Sequence, residues 1–470
     1  GLTRALPKLD KLRKPHGIRT TVMKTRLLRY LMIALLFLPV VAHAQTVVLT
    51  NARLIDGTGA TPVENVDIVI ANGLVKAVGV DLPAVEGGLV IDAGGKTVMP
   101  GIIDTHTHPT FEVLMANPRM PFPDPAAMPS SDEDMREFIE QRLPKRLRRF
   151  LSGGVTTIVS AGGYWPFEIG IRDDIVSGDL AGPRLLVASP LFTAPGGHPA
   201  SGICSGEKWC SEKLAFETSN SDAARRAVRR YASDGAEAIK IVYDSFDKRS
   251  LGGPNLDFPR LDPDVMAAII DEAKIAGLPV IAHSKTVDET ADVVTAGVDV
   301  LVHTALMEND DFTTSQGMVL PELVAEKKLP MTTTLRGFYE ALESASEEAR
   351  PGRQRNFDLV GPTLRAHAEA GVSIMFGTDF DGIGLDPDPA VAVRSEARAL
   401  IAAGFIELDV ISMATGNTSG HPMLPANLGT LEVGKIADLL VLEQDPLQDI
   451  TAMTRPVVVL QAGKIAVDRR

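Results

Sequence analysis

This chain of 470 residues has little of what several classes of protein require. It lacks a surplus of positive charge: the net charge is −13, and −21 once the +8 carried by residues 1–44 is set aside. Such an acidic chain is a poor partner for nucleic acid. After residue 44 no apolar run approaches the roughly 20 residues that cross a bilayer, so no stable membrane span is expected there. No glycine-rich phosphate fingerprint follows a strand pattern, which disfavours an open dinucleotide-binding sheet.

Cysteine is equally scarce, with only Cys204 and Cys210 in the whole chain. They lie six positions apart in a loop that contains Gly and Ser. In an oxidising compartment two such cysteines are expected to form a disulfide. A metal site made by the two thiolates is the weaker alternative.

The start of the chain carries a targeting pattern. Met23 is followed by basic residues, an apolar stretch over 30–41 and the small-x-small sequence Ala42-His43-Ala44. This order predicts a secretory signal peptide over residues 23–44, and therefore a periplasmic or secreted protein. A membrane-anchoring helix is the alternative, but the apolar stretch is short for it. Residues 1–22 precede this Met and are expected to be upstream sequence that is not native to the protein.

The remaining sequence has two textures. Residues 45–100 show short alternating apolar segments between turn residues, and residues 419–470 repeat that texture, which predicts one small β-sandwich domain formed by both ends. Residues 101–418 alternate strand and helix patterns, which predicts an α/β fold, a (β/α)8 TIM-like barrel. The strand candidates are 102–105, 156–160, 184–188, 238–243, 279–282, 300–302, 330–334 and 372–376. One helix pattern begins after Asp262 with Pro263 and ends at Gly277.

Polar residues with metal-ligand chemistry end several of these strands. His106 and His108 end the first strand, and positions i and i+2 of a strand point to the same side. His283 ends the fifth strand, His303 the sixth and Asp379 the eighth. Active sites of such barrels are assembled at the carboxyl ends of the strands. Imidazole and carboxylate groups bind divalent metals, with zinc as the default ion.

Lys240 lies inside the fourth strand, between apolar residues on both sides. Burial should lower the pKa of its ammonium group, because desolvation disfavours the charge. A neutral amine reacts with carbon dioxide to give a carbamate, an anion that can bridge two cations. The alternative is a lysine that pairs with a carboxylate in the core.

This order of residues resembles the amidohydrolase superfamily, and the resemblance runs from about Gln45 to the C-terminus. Supporting phrases are Val98-Met-Pro-Gly-Ile-Ile-Asp-Thr-His-Thr-His108 and Leu428-Gly-Thr-Leu-Glu-Val-Gly-Lys-Ile-Ala-Asp438. The resemblance implies a binuclear centre in which hydroxide between two divalent ions, by default Zn²⁺, attacks an amide carbonyl while Asp379 transfers the proton. The implied ligands are His106, His108 and Asp379 for one ion, His283 and His303 for the other, and a carbamate on Lys240 between them.

The loop Pro195-Gly-Gly-His198-Pro199 resembles the Gly-Gly-His loop of the prolidase-like and Xaa-carboxypeptidase branch, with Pro199 in place of the usual glycine. By this resemblance His198 would hydrogen-bond the substrate carbonyl or the tetrahedral oxyanion. A structural role as a capping histidine is the alternative. Tyr243 and Arg336 are candidates for binding a substrate carboxylate.

These observations predict an exported metal-dependent amidohydrolase that cleaves amide or peptide bonds of dipeptides or N-acyl amino acids. Alternatives are a lactone, carbamate or phosphotriester hydrolase on the same site, or a cyclic-amide hydrolase similar to imidazolonepropionase. A non-catalytic, exported metal- or solute-binding protein is a further alternative. The expected partner is a small molecule or short peptide, and the oligomeric state is open, with a homo-oligomer allowed.

Three features are predicted to be unrelated to catalysis. His367 lies in a helix pattern and is expected at the surface, and His421 is expected to be structural. The basic cluster Lys145-Arg146-Leu-Arg148-Arg149 has helical spacing, which predicts a solvated helix face.

Overall fold

The computed structural model describes residues 46–111, 129–204, 206–245, 258–303, 315–380 and 388–470. The predicted signal peptide and the segment before it lie outside the described residues. Residues 45–470 form one compact unit. None of the described helices combines the length and the apolar character that a bilayer crossing needs.

The described chain begins with a run of short strands rich in buried Val, Ile and Leu. Strand β1 pairs antiparallel with β2 and in parallel with β4 and β5, so it is the centre of this part of the sheet. The strands are β1 (Val47–Leu54), β2 (Val63–Ala71), β3 (Leu74–Val80), β4 (Leu89–Asp92) and β5 (Thr97–Pro100).

Eight parallel strands then form the barrel predicted from the sequence, each paired with the next along the chain. The barrel strands are β6 (Ile102–Thr107), β7 (Val155–Ser160), β8 (Arg184–Thr193), β10 (Ala238–Val242), β11 (Val280–His283), β12 (Val300–Val302), β13 (Met331–Thr332) and β14 (Ile374–Met375). A short strand, β9 (Ala215–Glu217), pairs with the outer part of β8. The barrel is closed by contacts between its first and last strands, where Thr105 N donates to Phe376 O at 3.0 Å.

Helices alternate with these strands, as the hydrophobic periodicity predicts. Within the described residues they are α1 (Asp132–Gln141), α2 (Leu143–Ser152), α3 (Phe167–Ser177), α4 (Lys208–Leu214), α5 (Ser221–Ser233), α6 (Pro263–Ala276), α7 (Val287–Ala296), α8 (Ser315–Glu326), α9 (Arg336–Glu343), α10 (Arg350–Glu369), α11 (Pro389–Ala402) and α12 (Glu407–Met413). Helix α6 confirms its predicted ends: the Asp262 side chain accepts from Asp264 N, and Gly277 ends the helix in the left-handed region at φ 73°.

The chain finally returns to the first sheet with β15 (Leu439–Leu442), β16 (Pro456–Gln461) and β17 (Lys464–Asp468). Strand β15 pairs antiparallel with β5, so that Leu440 lies opposite Met99. The complete sheet has the order β17-β16-β15-β5-β1-β2-β3. This confirms a small β-domain assembled from both ends of the described chain beside an α/β barrel.

Two predictions about surface residues are wrong. His367 is 1% exposed in α10, because it continues the helix face that buries Val360 and Leu364 at spacings of four and three. Its Nδ1 lies 2.8 Å from Thr363 O. In the basic cluster, Arg146 is also buried, because it donates to Pro109 O and Phe111 O while its guanidinium lies over the Phe138 ring. Residues 145 and 148 are exposed, as predicted.

Candidate metal centre and active site

The histidines and the aspartate predicted as ligands converge at the carboxyl end of the barrel. Oδ1 of Asp379 lies 3.3 Å from Nε2 of His106 and 3.3 Å from Nε2 of His108. His303 joins them, since one ligand atom each from His106, His303 and Asp379 lie within 4.8 Å of one another. The ring of His283 lies 4.5 Å from that of His303, centroid to centroid. Strands that are far apart in the sequence therefore bring these side chains to one place.

Lys240 is placed on the same inner side of the barrel, one layer below His283. Strands β10 and β11 pair in register with Val242 opposite His283, and side chains two apart in a strand share a face. Lys240 is 1% exposed, and its Nζ has no hydrogen-bond partner among the described residues. Burial lowers the pKa of this amine to about 7. A buried amine without a partner is unusual and calls for a functional explanation.

Two of the converging side chains require a left-handed backbone. His303 has φ 68° and Asp379 has φ 51°, a region that residues other than glycine seldom adopt. Val300 and Val302 point into the barrel, where they pack with other inward-facing residues. In a regular strand the side chain of His303 would therefore point outwards, and the change of backbone direction at this residue turns it towards the cluster. At Asp379 the conformation is fixed because its N–H donates to His106 O at 2.9 Å. Such backbone strain is typical of functional sites.

The second nitrogen of three histidines has a partner of its own. His108 Nδ1 lies 2.6 Å from Gly162 O, His303 Nδ1 lies 2.9 Å from Thr334 Oγ1, and His283 Nε2 lies 2.9 Å from an oxygen of Asp244. These contacts leave Nε2 of His108, Nε2 of His303 and Nδ1 of His283 as the nitrogens that a metal ion would bind. Metal-bound histidines usually have such a second partner.

The residues of the cluster fit divalent metal ions. Imidazole nitrogens and one carboxylate are the ligand types of zinc and similar ions. Burial lowers the pKa of His106 to about 3, so this imidazole is neutral and able to bind a cation. Burial alone would raise the pKa of Asp379, but the hydrogen bonds with His106 and His108 outweigh it and hold that pKa well below its usual value. The cluster thus offers neutral nitrogens beside an ionised carboxylate, a suitable environment for positive charge.

His198 lies at the edge of this cluster, with its ring centroid 5.6 Å from that of His283. Its loop is compact: Gly197 N donates to Ala194 O, and Ser201 N donates to Gly197 O. A disulfide between Cys204 and Cys210 joins the end of the loop to helix α4. Burial lowers the pKa of His198 to about 3, so the ring is neutral at physiological pH.

The two residues proposed to bind a substrate carboxylate have other partners in the structure. Tyr243 is buried, and its hydroxyl donates to Asp292 at 3.0 Å. Arg336 is 6% exposed, and its guanidinium donates to Thr378 O at 2.9 Å and to Asp379 O at 2.8 Å. Both side chains therefore bind groups of the protein itself, a carboxylate and two backbone carbonyls.

The sequence reasoning missed Asp244 and Lys285. Asp244 lies two positions after the end of strand β10 and four after Lys240, and Lys285 lies two positions after His283. The signal was present, since both are charged residues at the carboxyl end of a barrel strand. Asp104 was also missed: it is buried in β6, and its carboxylate accepts hydrogen bonds from Thr378 and from His106 N, which connects the first and last strands.

His421 lies away from the cluster. It is 1% exposed, and its Nδ1 accepts a hydrogen bond from Met423 N at 3.3 Å. The residue thus supports a turn of the chain just before it returns to the terminal sheet.

The class of protein is defined by a (β/α)8 barrel with a small sheet made from both chain ends, in which four histidines and an aspartate lie at the strand ends and a lysine is buried inside the fourth strand. The chain belongs to the amidohydrolase family, whose model matches residues 97–466. It is therefore a hydrolase that acts on carbon–nitrogen bonds of amides.

Named relatives extend over most of the chain at low identity. Ochratoxinase from Aspergillus niger is 24% identical over 446 residues, which cover 90% of this chain and 86% of that protein. A solved amidohydrolase structure superimposes with a TM-score of 0.71 at 25% identity, covering 90% of this chain and 99% of the other. A Xaa-Pro dipeptidase with methionine bound in its active site has the same TM-score at 23% identity and equal coverage, and it demonstrates the shared fold.

Proposed function

We propose that this protein is an exported, metal-dependent hydrolase that cleaves the amide bond of dipeptides or N-acyl amino acids. The observation that carries the proposal is the cluster itself, in which Asp379 lies 3.3 Å from both His106 and His108 while Lys240 is buried nearby with no hydrogen-bond partner in the described part of the chain. The solved Xaa-Pro dipeptidase with the same fold and the Gly-Gly-His198 loop support a small peptide-like substrate.

The ligand set accommodates two divalent ions, with zinc as the default. His106, His108 and Asp379 would hold one ion, and His283 and His303 the other. A carbamate formed on Lys240 by carbon dioxide would lie between them, which accounts for a buried amine that has no partner among the described residues. When bound, such ions lower the pKa of water and polarise a carbonyl.

The chain's own residues supply orientation and proton transfer. Asp379 lies at the end of the last strand, partly exposed and held by Arg336 and by His106 O, so its carboxylate can accept a proton from water and deliver it to the leaving nitrogen. His198 is neutral and lies beside His283, where its ring N–H can donate to the oxygen of the substrate carbonyl as negative charge develops there.

A substrate screen tests this proposal. The purified full chain, loaded with zinc, should hydrolyse members of a library of dipeptides and N-acyl amino acids, detected as free amine. Asp379→Asn should retain protein fold and lose turnover by at least about 100-fold, the lower range for general acid–base catalysis. No turnover of amides, together with turnover of lactones, carbamates, phosphotriesters or cyclic amides, would reassign the substrate class.

Export is proposed from residues 23–44 and supported by the disulfide between Cys204 and Cys210, a bond that persists in oxidising compartments. Cell fractionation followed by N-terminal sequencing tests it. A mature protein that begins at Gln45 in the periplasm or medium is the expected result, and full-length protein in the cytoplasm with both thiols reduced would contradict it.

A further inference from the structure

Asp244 is a buried carboxylate with a specific position behind the cluster. It is 3% exposed and lies two positions after the end of strand β10. Its Oδ2 accepts a hydrogen bond from His283 Nε2 at 2.9 Å. The same oxygen lies 3.2 Å from the ammonium group of Lys285, a residue two positions after His283. A buried carboxylate is costly unless it is paired, and here both partners come from the loop that carries His283.

The contact fixes the orientation and the tautomer of His283. Because Nε2 donates its proton to Asp244, Nδ1 is the nitrogen that carries a lone pair and faces the cluster. The ammonium group of Lys285 lies 3.2 Å from the same oxygen, so Asp244 faces a cation as well as the ring of His283. An anionic acceptor makes an imidazole a stronger electron-pair donor than a neutral acceptor does.

His283 differs in this respect from two other histidines of the cluster. His108 contacts a backbone carbonyl, that of Gly162, and His303 contacts a hydroxyl, that of Thr334. Among the contacts described here, His283 is the ligand histidine whose second nitrogen faces a carboxylate. In the ligand arrangement proposed above, Asp379 belongs to the other ion, so the ion held by His283 and His303 would have only the shared carbamate on Lys240 as an anionic ligand. A carboxylate on the far side of His283 adds negative charge to the surroundings of this ion.

We propose that Asp244, held by Lys285, is a positioning residue that fixes His283 and thereby secures the ion bound by His283 and His303. The inference rests on the proposed binuclear site. It assigns unequal support to the two ions: loss of Asp244 should weaken one of them and leave the ion held by His106, His108 and Asp379 in place.

Metal retention measures this directly and needs no substrate. The zinc content of the purified full chain is determined by mass spectrometry during titration with a chelator, for the wild type and for Asp244→Ala. The wild type should retain two ions per chain, and Asp244→Ala should lose one of them at about 10- to 100-fold lower chelator concentration, the usual effect of removing a histidine's second partner. Asp292→Asn is the matched control, since that carboxylate accepts a hydrogen bond from Tyr243 and contacts none of the histidines in the described structure.

Asp244→Asn separates charge from orientation, because Asn still offers an oxygen to His283 Nε2 but has no charge. The chelator concentration at which Asp244→Asn loses one ion should lie between the values for the wild type and for Asp244→Ala. If circular dichroism shows that Asp244→Ala does not fold, the test rests on Asp244→Asn alone. An Asp244→Asn variant that holds two ions as tightly as the wild type would then overturn the proposal. Loss of both ions together would overturn it as well, since the proposed support is specific to one. A wild type that retains no zinc or one ion would instead refute the binuclear site itself.

Discussion

At the residue scale, the guanidinium of Arg336 donates to two consecutive backbone carbonyls, those of Thr378 and Asp379, while its backbone N–H donates to Glu396. Asp379 has a left-handed backbone, and these contacts hold the turn that presents its carboxylate. Arg336→Met should therefore lower the free energy of unfolding by about 3 kcal/mol, because two charge-assisted hydrogen bonds are lost and the carbonyls are left buried. Urea denaturation measures this loss of stability, and kcat of the variant should also decrease.

Arg136→Met is the control for this variant, since Arg136 is exposed on helix α1 and its ion pairs in the described structure, with acidic neighbours of its own helix, are long at 3.9 Å. It should change stability and kcat little. The original interpretation of Arg336, a contact with substrate carboxylate, predicts a different pattern: a raised KM with unchanged kcat and stability. That pattern would show that Arg336 turns to the substrate during turnover.

His421 makes stability depend on pH. Burial lowers its pKa from 6.5 to about 4, so between these values the unfolded chain binds a proton that the folded chain does not. Stability should therefore decrease as the pH falls from about 6.5 to 4, with this one group contributing about 3 kcal/mol over the range. The substitution His421→Asn keeps a side-chain oxygen that can accept a hydrogen bond from Met423 N, and the asparagine side chain does not titrate in this pH range.

The measurement is the urea midpoint of the wild type and of His421→Asn at several pH values. The difference in unfolding free energy between the two proteins should be constant above pH 7 and should shift in favour of the variant as the pH decreases. Parallel curves for the two proteins from pH 7 to pH 4 would show that His421 is protonated in the folded state.

At the scale of elements, local signals were enough for most helices and strands. Helix α6 has its Asp262 cap, its proline and its terminal glycine where the sequence predicts them, because all three act through neighbours within the helix. The positions of His106, His283, His303 and Asp379 followed from one rule, that barrel strands present their carboxyl ends together. The partners of Arg336 and Tyr243 could not be predicted, because they lie on elements that only the closed barrel brings near.

The burial of His367 was missed for a related reason. Its helix is polar on average, and a histidine at one position fits a solvated face as well as a packed one. Only the neighbouring helices decide which face of α10 is covered, and that depends on contacts remote in the sequence. The same holds for Arg146, whose acceptors are the carbonyls of Pro109 and Phe111 in the segment after the first barrel strand.

The loop that carries His198 is the element whose geometry is easiest to test. Gly202 lies against the His198 ring, and a Cβ at this position would be 2.5 Å from Nδ1. If His198 contacts the substrate as proposed, Gly202→Ala should displace the ring and lower kcat/KM about 10-fold or more, since small displacements of such a group are costly. Gly170→Ala in helix α3 is the control: a Cβ there meets nothing within 4 Å, and activity should be unchanged. Equal activity of both variants would exclude a role for His198 at the substrate carbonyl.

At the scale of the whole molecule, the terminal sheet could be predicted as a β-domain but its pairing could not. Strand β1 pairs with β2 in antiparallel and with β4 and β5 in parallel, and β5 pairs with β15 far along the chain. Alternating apolar residues specify which face of a strand is buried, whereas the choice of neighbour depends on the packing of the whole sheet. The pairing of β15 with β5 therefore becomes visible only in the folded structure.

The connection between this sheet and the barrel is the subject of the last prediction. Asp438, just before β15, is 5% exposed and accepts from Arg184 at the start of β8 at 2.8 Å and from Ala462 N at 2.6 Å. These contacts lie at the amino end of a barrel strand, opposite the metal cluster. Asp438→Ala should lower the free energy of unfolding by about 3 kcal/mol, because it leaves a partly buried cation without its carboxylate. The folded variant should keep its zinc content and its kcat.

Urea unfolding followed by both circular dichroism and enzymatic activity separates two outcomes. If sheet and barrel unfold as one unit, both signals should shift together to lower urea in Asp438→Ala. A variant that loses the sheet first would show two transitions, with activity retained between them, and would contradict a joint unit. Asp445→Ala is the control, because Asp445 pairs with Arg53 of strand β1 and has no ion pair with a barrel strand in the part of the chain that the structure describes. The terminal sheet is thus expected to stabilise the barrel from the face opposite the chemistry, through Asp438 rather than through the active-site loops.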